Sequence, residues 1–151
     1  MISLIQLIRI LDDVPDGFDT LLADAASEGV GSMALLAQGW ASGDQRFDGD
    51  GEALLGALLA GELAGIGGLS VELAASEPAR RVRRFYVRPA FRRQGVARTL
   101  ASALVQEALD QVDLLTCNAA ASPAAAPFWE AQGFSPDSSG PWTHLLRRSD
   151  V

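Results

Sequence analysis

The chain has 151 residues, 12 basic and 19 acidic side chains, a formal net charge of −7 and a hydrophobic fraction of 48%. This size and composition exclude a disordered chain and predict one globular domain over residues 1–151, since two half-length domains would each bury too little apolar surface. The negative net charge argues against a nucleic-acid-binding protein.

The positive charge is concentrated in one segment of the chain. Residues 80–98 hold eight of the 12 arginines and no acidic residue, whereas residues 1–79 hold 13 acidic residues and two arginines. The chain contains no lysine, which excludes a Walker-type phosphate loop and any lysine Schiff base. Segment 80–98 is therefore the first place to look for an anion-binding site.

Counts of single residue types exclude further chemistries. Cys117 is the only cysteine and His144 the only histidine, so an internal disulfide, a cysteine-rich zinc site and a multi-histidine metal centre are impossible. We expect no metal. Residues 1–11 lack the basic start of a signal peptide, and no apolar run approaches about 18 residues. We therefore expect a cytoplasmic protein without a membrane or nucleic-acid partner.

The N-terminal part of the chain predicts one strand and two helices. Residues 3–10 are rich in β-branched and apolar residues, which is typical of a strand. Apolar residues at helical spacing predict a helix over 18–27 that ends at Gly29. A second helix is expected to be capped by Ser32 and to end near Gly43.

The next part predicts a loop and a hairpin. Residues 43–51 are polar and rich in turn formers, and residues 52–60 and 63–73 predict two strands joined at Gly61. Alanine and leucine also favour a helix over 53–60, which stays open as an alternative. Three glycines in the second strand indicate a bulge, a close approach to the backbone, or simple local weakness. They are Gly65, Gly67 and Gly68.

Residues 80–88 predict a strand that ends at Pro89. Its apolar side chains fail to alternate between Val82 and Phe85, which predicts a bulge. Residues 95–110 carry apolar side chains along one face of a helix.

The C-terminal part adds three short elements. Residues 114–117 predict a buried strand, residues 123–132 a helix with Pro123 in its first turn, and residues 142–146 a last strand. The elements together predict a mixed α+β fold.

The start of the helix over 95–110 predicts a phosphate site. The first turn of a helix leaves backbone N–H groups unpaired, and these donors attract anions together with the helix dipole. Gly95 and the small Ala97 would let a ligand approach the backbone. Arg92, Arg93 and Arg98 would supply charge and forked hydrogen bonds to phosphate oxygens. These residues predict a diphosphate or polyphosphate site, against the alternative of a solvated arginine-rich turn.

This segment resembles a family signature. Arg92-x-x-Gly95-x-Ala97 is similar to Arg/Gln-x-x-Gly-x-Gly/Ala, the acetyl-CoA pyrophosphate signature of the GNAT superfamily of N-acetyltransferases. The preceding Tyr86-Val87-Arg88-Pro89 resembles the hydrophobic-Val-x-Pro strand end of these enzymes.

Further matches extend the resemblance to residues 52–146, in the same order. The glycines of the second hairpin strand resemble the family's glycine-rich third strand. Asn118 and the later Ala125-x-x-Phe128-Trp129-Glu130-x-x-Gly133-Phe134 are similar to the family's Asn…Ala-x-x-Phe-Tyr-Glu-x-x-Gly-Phe segment.

The resemblance implies a fold and a cofactor site. The fold is a central mixed sheet of six or seven strands with about four helices, splayed between the fourth and fifth strands, where acetyl-CoA enters. Backbone groups of Phe85, Tyr86 and Val87 would contact the pantetheine arm. The pyrophosphate would be wrapped by Arg92, Arg93, Gln94, Gly95, Val96, Ala97 and Arg98. Asn118 would contact the pantetheine or a nearby water, and Phe128 and Trp129 would lie near the thioester.

The implied reaction is direct attack of a primary amine on the thioester. A lysine-like amine has a pKa near 10.4, so its neutralisation at pH 7 costs about 4.6 kcal/mol, which a general base lowers. The candidate bases are Glu72 and His144, against the alternatives of a solvated strand-end carboxylate and a structural histidine. Asn118 is the third candidate catalytic residue.

The sequence departs from the family pattern at Trp129, where a tyrosine commonly protonates the sulfur. An indole N–H is not a useful acid, and Tyr86 is the only phenol in the chain. A thiolate is already a fair leaving group, and water, Cys117 or His144 could supply the proton. The departure keeps open an alternative function, a catalytically weak GNAT-fold module that binds acyl-CoA.

The acceptor would be an amine of a small molecule or a protein. Acidic residues in the loops would attract a cationic amine. The resemblance places acceptor specificity in the loop over 40–47, where Trp40, Arg46 and Phe47 are the candidate substrate-binding residues. A homodimer is a further expectation from the family.

Overall fold

The computed structural model describes residues 4–151. Its helices and strands follow one another in a mixed order, with two single-turn 3-10 helices at Pro89–Phe91 and Arg148–Asp150. The main elements are β1 (Ile5–Arg9), α1 (Phe18–Ser27), α2 (Ser32–Ser42), β2 (Ala53–Leu59), β3 (Glu62–Val71), β4 (Ala79–Val87), α3 (Val96–Leu109), β5 (Leu114–Cys117), α4 (Ala125–Ala131), β6 (Ser135–Pro136) and β7 (His144–Arg147). Within residues 4–151, no helix is long and apolar enough to cross a bilayer.

The strands form one seven-stranded mixed sheet in the order β1-β2-β3-β4-β5-β7-β6. Neighbouring strands are antiparallel except β4 and β5, which are parallel. Within residues 4–151, seven strands with a single parallel pair and four α-helices confirm the predicted α+β fold class.

The parallel pair opens along its length. β4 and β5 pair only at Ala79–Leu114, Arg80–Leu115 and Arg81–Thr116. Beyond this point β4 continues to Val87, whereas β5 ends after one more residue, at Cys117. The β5-facing edge of β4 is therefore left without a partner strand over its second half, which confirms the predicted splay.

The sheet separates two apolar layers. On one face, α3 and α4 pack on Val82, Leu115 and Leu146 of the sheet. On the other face, α1 and α2 pack on Ile66 and Tyr86. Because successive side chains of a strand point to opposite faces, each strand of the centre contributes to both layers.

The predicted bulge lies in β4. Gly68 pairs with Arg83 and Ile66 with Tyr86, so Gly67 alone faces the two residues Arg84 and Phe85. Arg84 takes a left-handed conformation with φ of 55°. Of the alternatives for the β3 glycines, the bulge and the close approach are correct.

The close approach is made by side chains. A Cβ atom at Gly67 would lie 2.9 Å from both Phe85 Cδ2 and Leu104 Cδ1, and one at Gly68 would lie 2.6 Å from Phe47 Cε1. Since real Cβ atoms do not approach other atoms this closely, only glycine lets these side chains pack flat on β3.

Some predicted element boundaries differ from the structure. Ser32 is the first residue of α2 rather than its cap, because Gly31 takes the cap position, and no side chain caps the helix. The helical alternative over 53–60 is wrong, since these residues pair with both β1 and β3. Pro123 precedes α4 instead of lying in its first turn. Ser3, the first residue of the first predicted strand, lies outside the described residues.

Candidate active site

The loop between β4 and α3 presents a row of unpaired backbone donors. Gly95 caps α3 with φ of 85°, and Arg93 is also left-handed with φ of 62°. In the described part of the chain, the backbone N–H groups of residues 93–98 make no hydrogen bond of good geometry with the protein, and Thr99 is the first residue whose N–H pairs, with the Gly95 carbonyl. Left-handed residues and free N–H groups at a helix start are features of backbone anion sites.

The arginines of this loop have different partners. The Arg92 guanidinium donates to both carboxylate oxygens of Glu28, at 2.9 and 2.7 Å, and its Nε donates to the Val87 carbonyl at 3.1 Å. Arg93 and Arg98 are exposed. The side chain of Arg92 therefore anchors the loop to the end of α1, which leaves Arg93 and Arg98 as the side-chain cations available for a phosphate.

Glu28 joins the loop to β4 as well. The Tyr86 hydroxyl donates to Glu28 Oε1 at 2.5 Å. The hydrogen bonds from Arg92 and Tyr86 hold the pKa of Glu28 below its usual value. Burial, and then the hydrogen bond to Glu28, raises the pKa of Tyr86. The only phenol of the chain is thus held as a neutral donor to α1.

A second ion pair ties α1 to the same segment. Arg88 Nε donates to Asp24 Oδ2 at 2.7 Å, its Nη1 donates to the Leu63 carbonyl at 3.1 Å, and its guanidinium lies 5.1 Å from the Phe91 ring centroid. Asp24 lies in α1, and Glu28, four residues later, is the C-cap of that helix, so the two carboxylates lie on the same side. This acidic face therefore positions both ends of the turn that precedes the unpaired donors.

An aromatic cluster lies where the resemblance implies the thioester. The Trp129 ring is 4.9 Å from Phe85, 5.0 Å from Phe128 and 5.3 Å from Phe134, in edge-to-face arrangements. Phe85 belongs to the unpaired half of β4, and Trp129 is buried. The structure thus brings Phe85, Phe128 and Trp129 together beside the opening between β4 and β5.

Glu72 and Asn118 line one small cavity. This cavity of about 50 Å³ is also bounded by Arg81 and Trp142. Glu72 is buried, and its two carboxylate oxygens accept hydrogen bonds from Thr116 Oγ1 at 2.9 Å and from the Ala74 N–H at 3.2 Å. A carboxylate held against the end of β5, with a cavity beside it, is well placed to accept a proton.

His144 lies elsewhere. Its Nε2 is 2.9 Å from Glu130 Oε2 on α4, and its Nδ1 is 2.9 Å from Thr143 Oγ1. Leu146, two residues along β7, belongs to the α3 and α4 layer, so His144 points to that face. The structure therefore brings Glu72 and Asn118 together but does not bring His144 to them.

Cys117 is a poor candidate acid. Its thiol is buried, and burial raises its pKa to about 12.

A larger cavity of about 210 Å³ lies against α2. Phe47, one of the predicted substrate-binding residues, is among the residues that line it. Trp40 is buried in the core. Arg46 donates to the Trp40 carbonyl at 2.9 Å, and its guanidinium lies 5.4 Å from the centre of the Trp40 ring. This pair therefore holds the loop after α2 against the core. The sequence reasoning missed two wall residues, Arg83 and Arg84.

Comparison with known families gives a direct assignment. Residues 21–141 match the family model described as an acetyltransferase (GNAT) domain, which covers most of the chain. The chain belongs to the GNAT acetyltransferase family. The search of curated proteins gave no match.

Solved structures of GNAT proteins share the fold. A candidate acetyltransferase from Exiguobacterium sp. 255-15 is 26% identical, with a TM-score of 0.85 over 97% of this chain and 95% of that one. Glucosamine-6-phosphate N-acetyltransferase from Arabidopsis thaliana is 17% identical, with a TM-score of 0.67 over 89% and 94% of the two chains. A GNAT family acetyltransferase from Elizabethkingia anophelis, solved with acetyl-CoA bound, is 17% identical, with a TM-score of 0.61 over 89% and 78%.

The residues of this GNAT chain fit acetyl-CoA, the molecule that the family binds. The free N–H groups at 93–98 match the acceptor oxygens of a pyrophosphate. The unpaired half of β4 offers backbone groups along the opening that the pantetheine would enter. The loop after β4 therefore fits the pyrophosphate, and the unpaired half of β4 fits the pantetheine arm.

Proposed function

We propose that the protein is an acetyl-CoA-dependent N-acetyltransferase that transfers the acetyl group to a primary amine of a small molecule or protein. The observation that carries this proposal is the run of unpaired N–H groups at 93–98, at the end of β4 and next to the opening between β4 and β5. These donors lie at the start of α3, where unpaired N–H groups and the helix dipole attract anions.

Acetyl-CoA supplies an activated acetyl thioester when it is bound. The backbone of residues 93–98 and the side chains of Arg93 and Arg98 would hold its pyrophosphate. Backbone groups of Phe85, Tyr86 and Val87, together with Asn118, would hold its pantetheine arm. Phe128 and Trp129 would pack near the thioester and exclude water, because their cluster closes the α4 side of the opening.

Glu72 is the general base in this proposal. Its carboxylate and Asn118 line the same cavity next to the end of β5, and both of its oxygens are oriented by donors. An oriented carboxylate would take the proton of the incoming ammonium directly or through one water in the cavity. The hydrogen bonds of His144 to Glu130 and Thr143 indicate a structural role for the histidine.

The sulfur would take its proton from water. Trp129 stands where the family commonly has a tyrosine, and the Tyr86 hydroxyl is held by Glu28. A thiol has a pKa of about 8.5, so a thiolate leaves without obligatory protonation. The same substitution favours the second candidate function, a module that binds acyl-CoA with little or no turnover.

Binding and turnover are tested separately. Acetyl-CoA at 100 times its dissociation constant should stabilise the fold by about 2.7 kcal/mol, measurable as a thermal shift. Release of free CoA thiol is then followed over a panel of amines. Binding with turnover supports the enzyme, binding with no turnover supports the module, and absence of any thermal shift contradicts both.

Gly95→Ala and Gly61→Ala are a matched pair for the binding site. Both glycines are left-handed, with φ of 85° and 80°. A methyl group fits at both positions, since a Cβ atom would lie at least 3.8 Å from other atoms at Gly95 and would meet nothing within 4 Å at Gly61. Each substitution should cost about 1–2 kcal/mol of stability. Only Gly95→Ala should also weaken acetyl-CoA binding, because Gly95 lies within the row of donors and Gly61 lies in the distant turn between β2 and β3. An equal change of acetyl-CoA affinity in both variants would reject the site.

A further inference from the structure

The cavity beside α2 has an unusual wall. Leu35 and Leu36 of α2 and Phe47 of the following loop form its apolar side, and Arg83 and Arg84 of β4 form the opposite side. The residues proposed to hold acetyl-CoA are not among those that line it. Its volume of about 210 Å³ suits a small organic group.

The bulge in β4 aims both arginines into this cavity. Consecutive residues of a regular strand point to opposite faces. Arg83 and Arg84 nevertheless line the same cavity, because the extra residue of the bulge and the left-handed φ of 55° at Arg84 turn the second side chain to the face of the first. A left-handed conformation costs a non-glycine residue about 1–2 kcal/mol, so the arrangement is held by the surrounding structure.

The Arg83 guanidinium lacks a partner. Its Nε is buried and has no hydrogen-bond acceptor among the described residues. Burial lowers the pKa of Arg83, and the positive charges of Arg84 and Arg81 lower it further. A partly buried cation that has one buried unpaired donor and two like charges nearby is stabilised when an anion binds beside it.

The nearby carboxylates already have other partners. Glu52 and Glu72 are the acids whose charges act on Arg83. Glu52 accepts hydrogen bonds from the Gly49 and Val71 N–H groups, and Glu72 accepts from Thr116 and Ala74. Asp44 also lines the cavity but is exposed, so two guanidinium groups face one solvated carboxylate.

We propose that this cavity binds the acceptor through an anionic group, so that the acceptor is a small primary amine that also carries a carboxylate or a phosphate. The proposal rests on the proposed acetyltransferase function and narrows its substrate class. Forked guanidinium hydrogen bonds match both anions. It adds an anionic group to the cationic amine that the acidic loops are expected to attract.

Matched pairs of amines test the charge requirement. Serine is compared with serinamide, phosphoethanolamine with ethanolamine, and spermidine represents a purely cationic amine. Calorimetric titration is carried out with CoA present at saturation, so that the donors at 93–98 are filled, and CoA release from acetyl-CoA is measured in parallel. In at least one pair, the amine that carries the carboxylate or phosphate should bind about tenfold or more tightly than the amine that lacks it. A preference in the serine pair identifies a carboxylate as the bound group, and a preference in the phosphoethanolamine pair identifies a phosphate.

Arg83→Gln and Arg84→Gln should abolish this preference, mainly through KM, whereas Arg147→Gln should keep it. Arg147 is exposed and pairs with Glu77, so Arg147→Gln removes one positive charge from a surface away from the cavity. Equal or weaker binding of every anionic member, or tighter binding of spermidine, overturns the proposal. Because binding is read directly, this outcome is separate from failure of the acetyltransferase function, which would appear as absence of acetyl-CoA binding or turnover.

Discussion

At the scale of single residues, the choice between Glu72 and His144 follows from the face of the sheet that each occupies. Thr116 lies between Leu115 and Cys117 of the α3 and α4 layer, so its side chain and the Glu72 carboxylate that it contacts lie on the opposite face. The larger cavity, which the two arginines line together with residues of α2, lies on that face as well, because α2 packs there. The proposed base and the proposed acceptor cavity therefore share one side of the sheet.

Glu72→Gln tests this assignment. We expect kcat to fall by about 10²–10⁴-fold, while the dissociation constant of acetyl-CoA stays the same, because a general base acts on the amine and not on the cofactor. The residual rate should rise with pH as more of the free amine becomes neutral. Steady-state kinetics with the best acceptor and a thermal shift with acetyl-CoA measure the two effects.

Glu77→Gln is the control for this change, since Glu77 is exposed, pairs with Arg147 and lies five residues away in the same loop region. Full activity of Glu72→Gln together with loss of activity in His144→Gln would instead assign the base to the histidine.

At the scale of elements, α1 and its C-cap fix the position of the cofactor loop, residues 88–98, through two ion pairs. Asp24 of this helix and Glu28 at its C-cap bind Arg88 and Arg92, which flank the turn at Pro89–Phe91. Val96 is buried at the other end of the loop. The loop that presents the free N–H groups is thus fixed by charge at its start and by apolar packing at its end.

The ion pair between Glu28 and Arg92 predicts a dependence of stability on pH. Because the pKa of Glu28 is lower in the folded protein than its ordinary value of 4.5, ionised Glu28 stabilises the fold above pH 4.5, and this contribution is lost as the pH falls through the folded pKa. We expect the Tm of Glu28→Gln to lie a few degrees below that of the wild type at pH 7. The difference should shrink below pH 4.5 and disappear once Glu28 is protonated.

Thermal unfolding over pH 3–8 measures this effect, with Glu62→Gln as the control. Glu62 is exposed at the start of β3, so its substitution should shift Tm little and equally across the range. A difference between Glu28→Gln and the wild type that stays constant down to pH 3 would show that Glu28 does not act through its charge.

Elements with a regular pattern were predictable from the sequence. The helices over 18–27 and 95–110 match α1 and α3 closely, because a buried apolar face repeats along each of them. The bulge was predictable because it breaks the alternation between Val82 and Phe85. β6 was missed, since a strand of two exposed residues shows no pattern.

Contacts between distant parts of the chain were not predictable. The Glu28 and Arg92 pair joins residues 64 positions apart, and the sequence shows only an ordinary acid at the end of an amphipathic helix. The acceptor cavity likewise needs α2 to pack on β4, which turns a run of arginines into one wall of a cavity. The resemblance located the cofactor loop in advance because its glycine and arginines are adjacent in sequence.

At the scale of the whole molecule, the net charge of −7 is the sum of two separate surfaces. Among residues 4–151, several arginines of segment 80–98 form no ion pair: Arg93 and Arg98 at the cofactor loop and Arg83 and Arg84 in the cavity. Acetyl-CoA carries several phosphate charges, so the protein as a whole repels it while this segment attracts it.

The salt dependence of acetyl-CoA binding shows which of the two effects dominates. The Debye length falls from about 30 Å at 0.01 M to about 8 Å at 0.15 M ionic strength, so added salt screens both. If the local arginines dominate, as the structure predicts, the dissociation constant rises with salt. If the net charge dominated, salt would remove repulsion and the dissociation constant would fall.

Arg93→Gln should flatten the rise of the dissociation constant with salt, because it removes one exposed cation at the loop, whereas Arg147→Gln should leave the slope unchanged. Calorimetric titrations of acetyl-CoA at four salt concentrations distinguish these outcomes by sign, and a falling dissociation constant in the wild type would contradict a pyrophosphate site at residues 93–98.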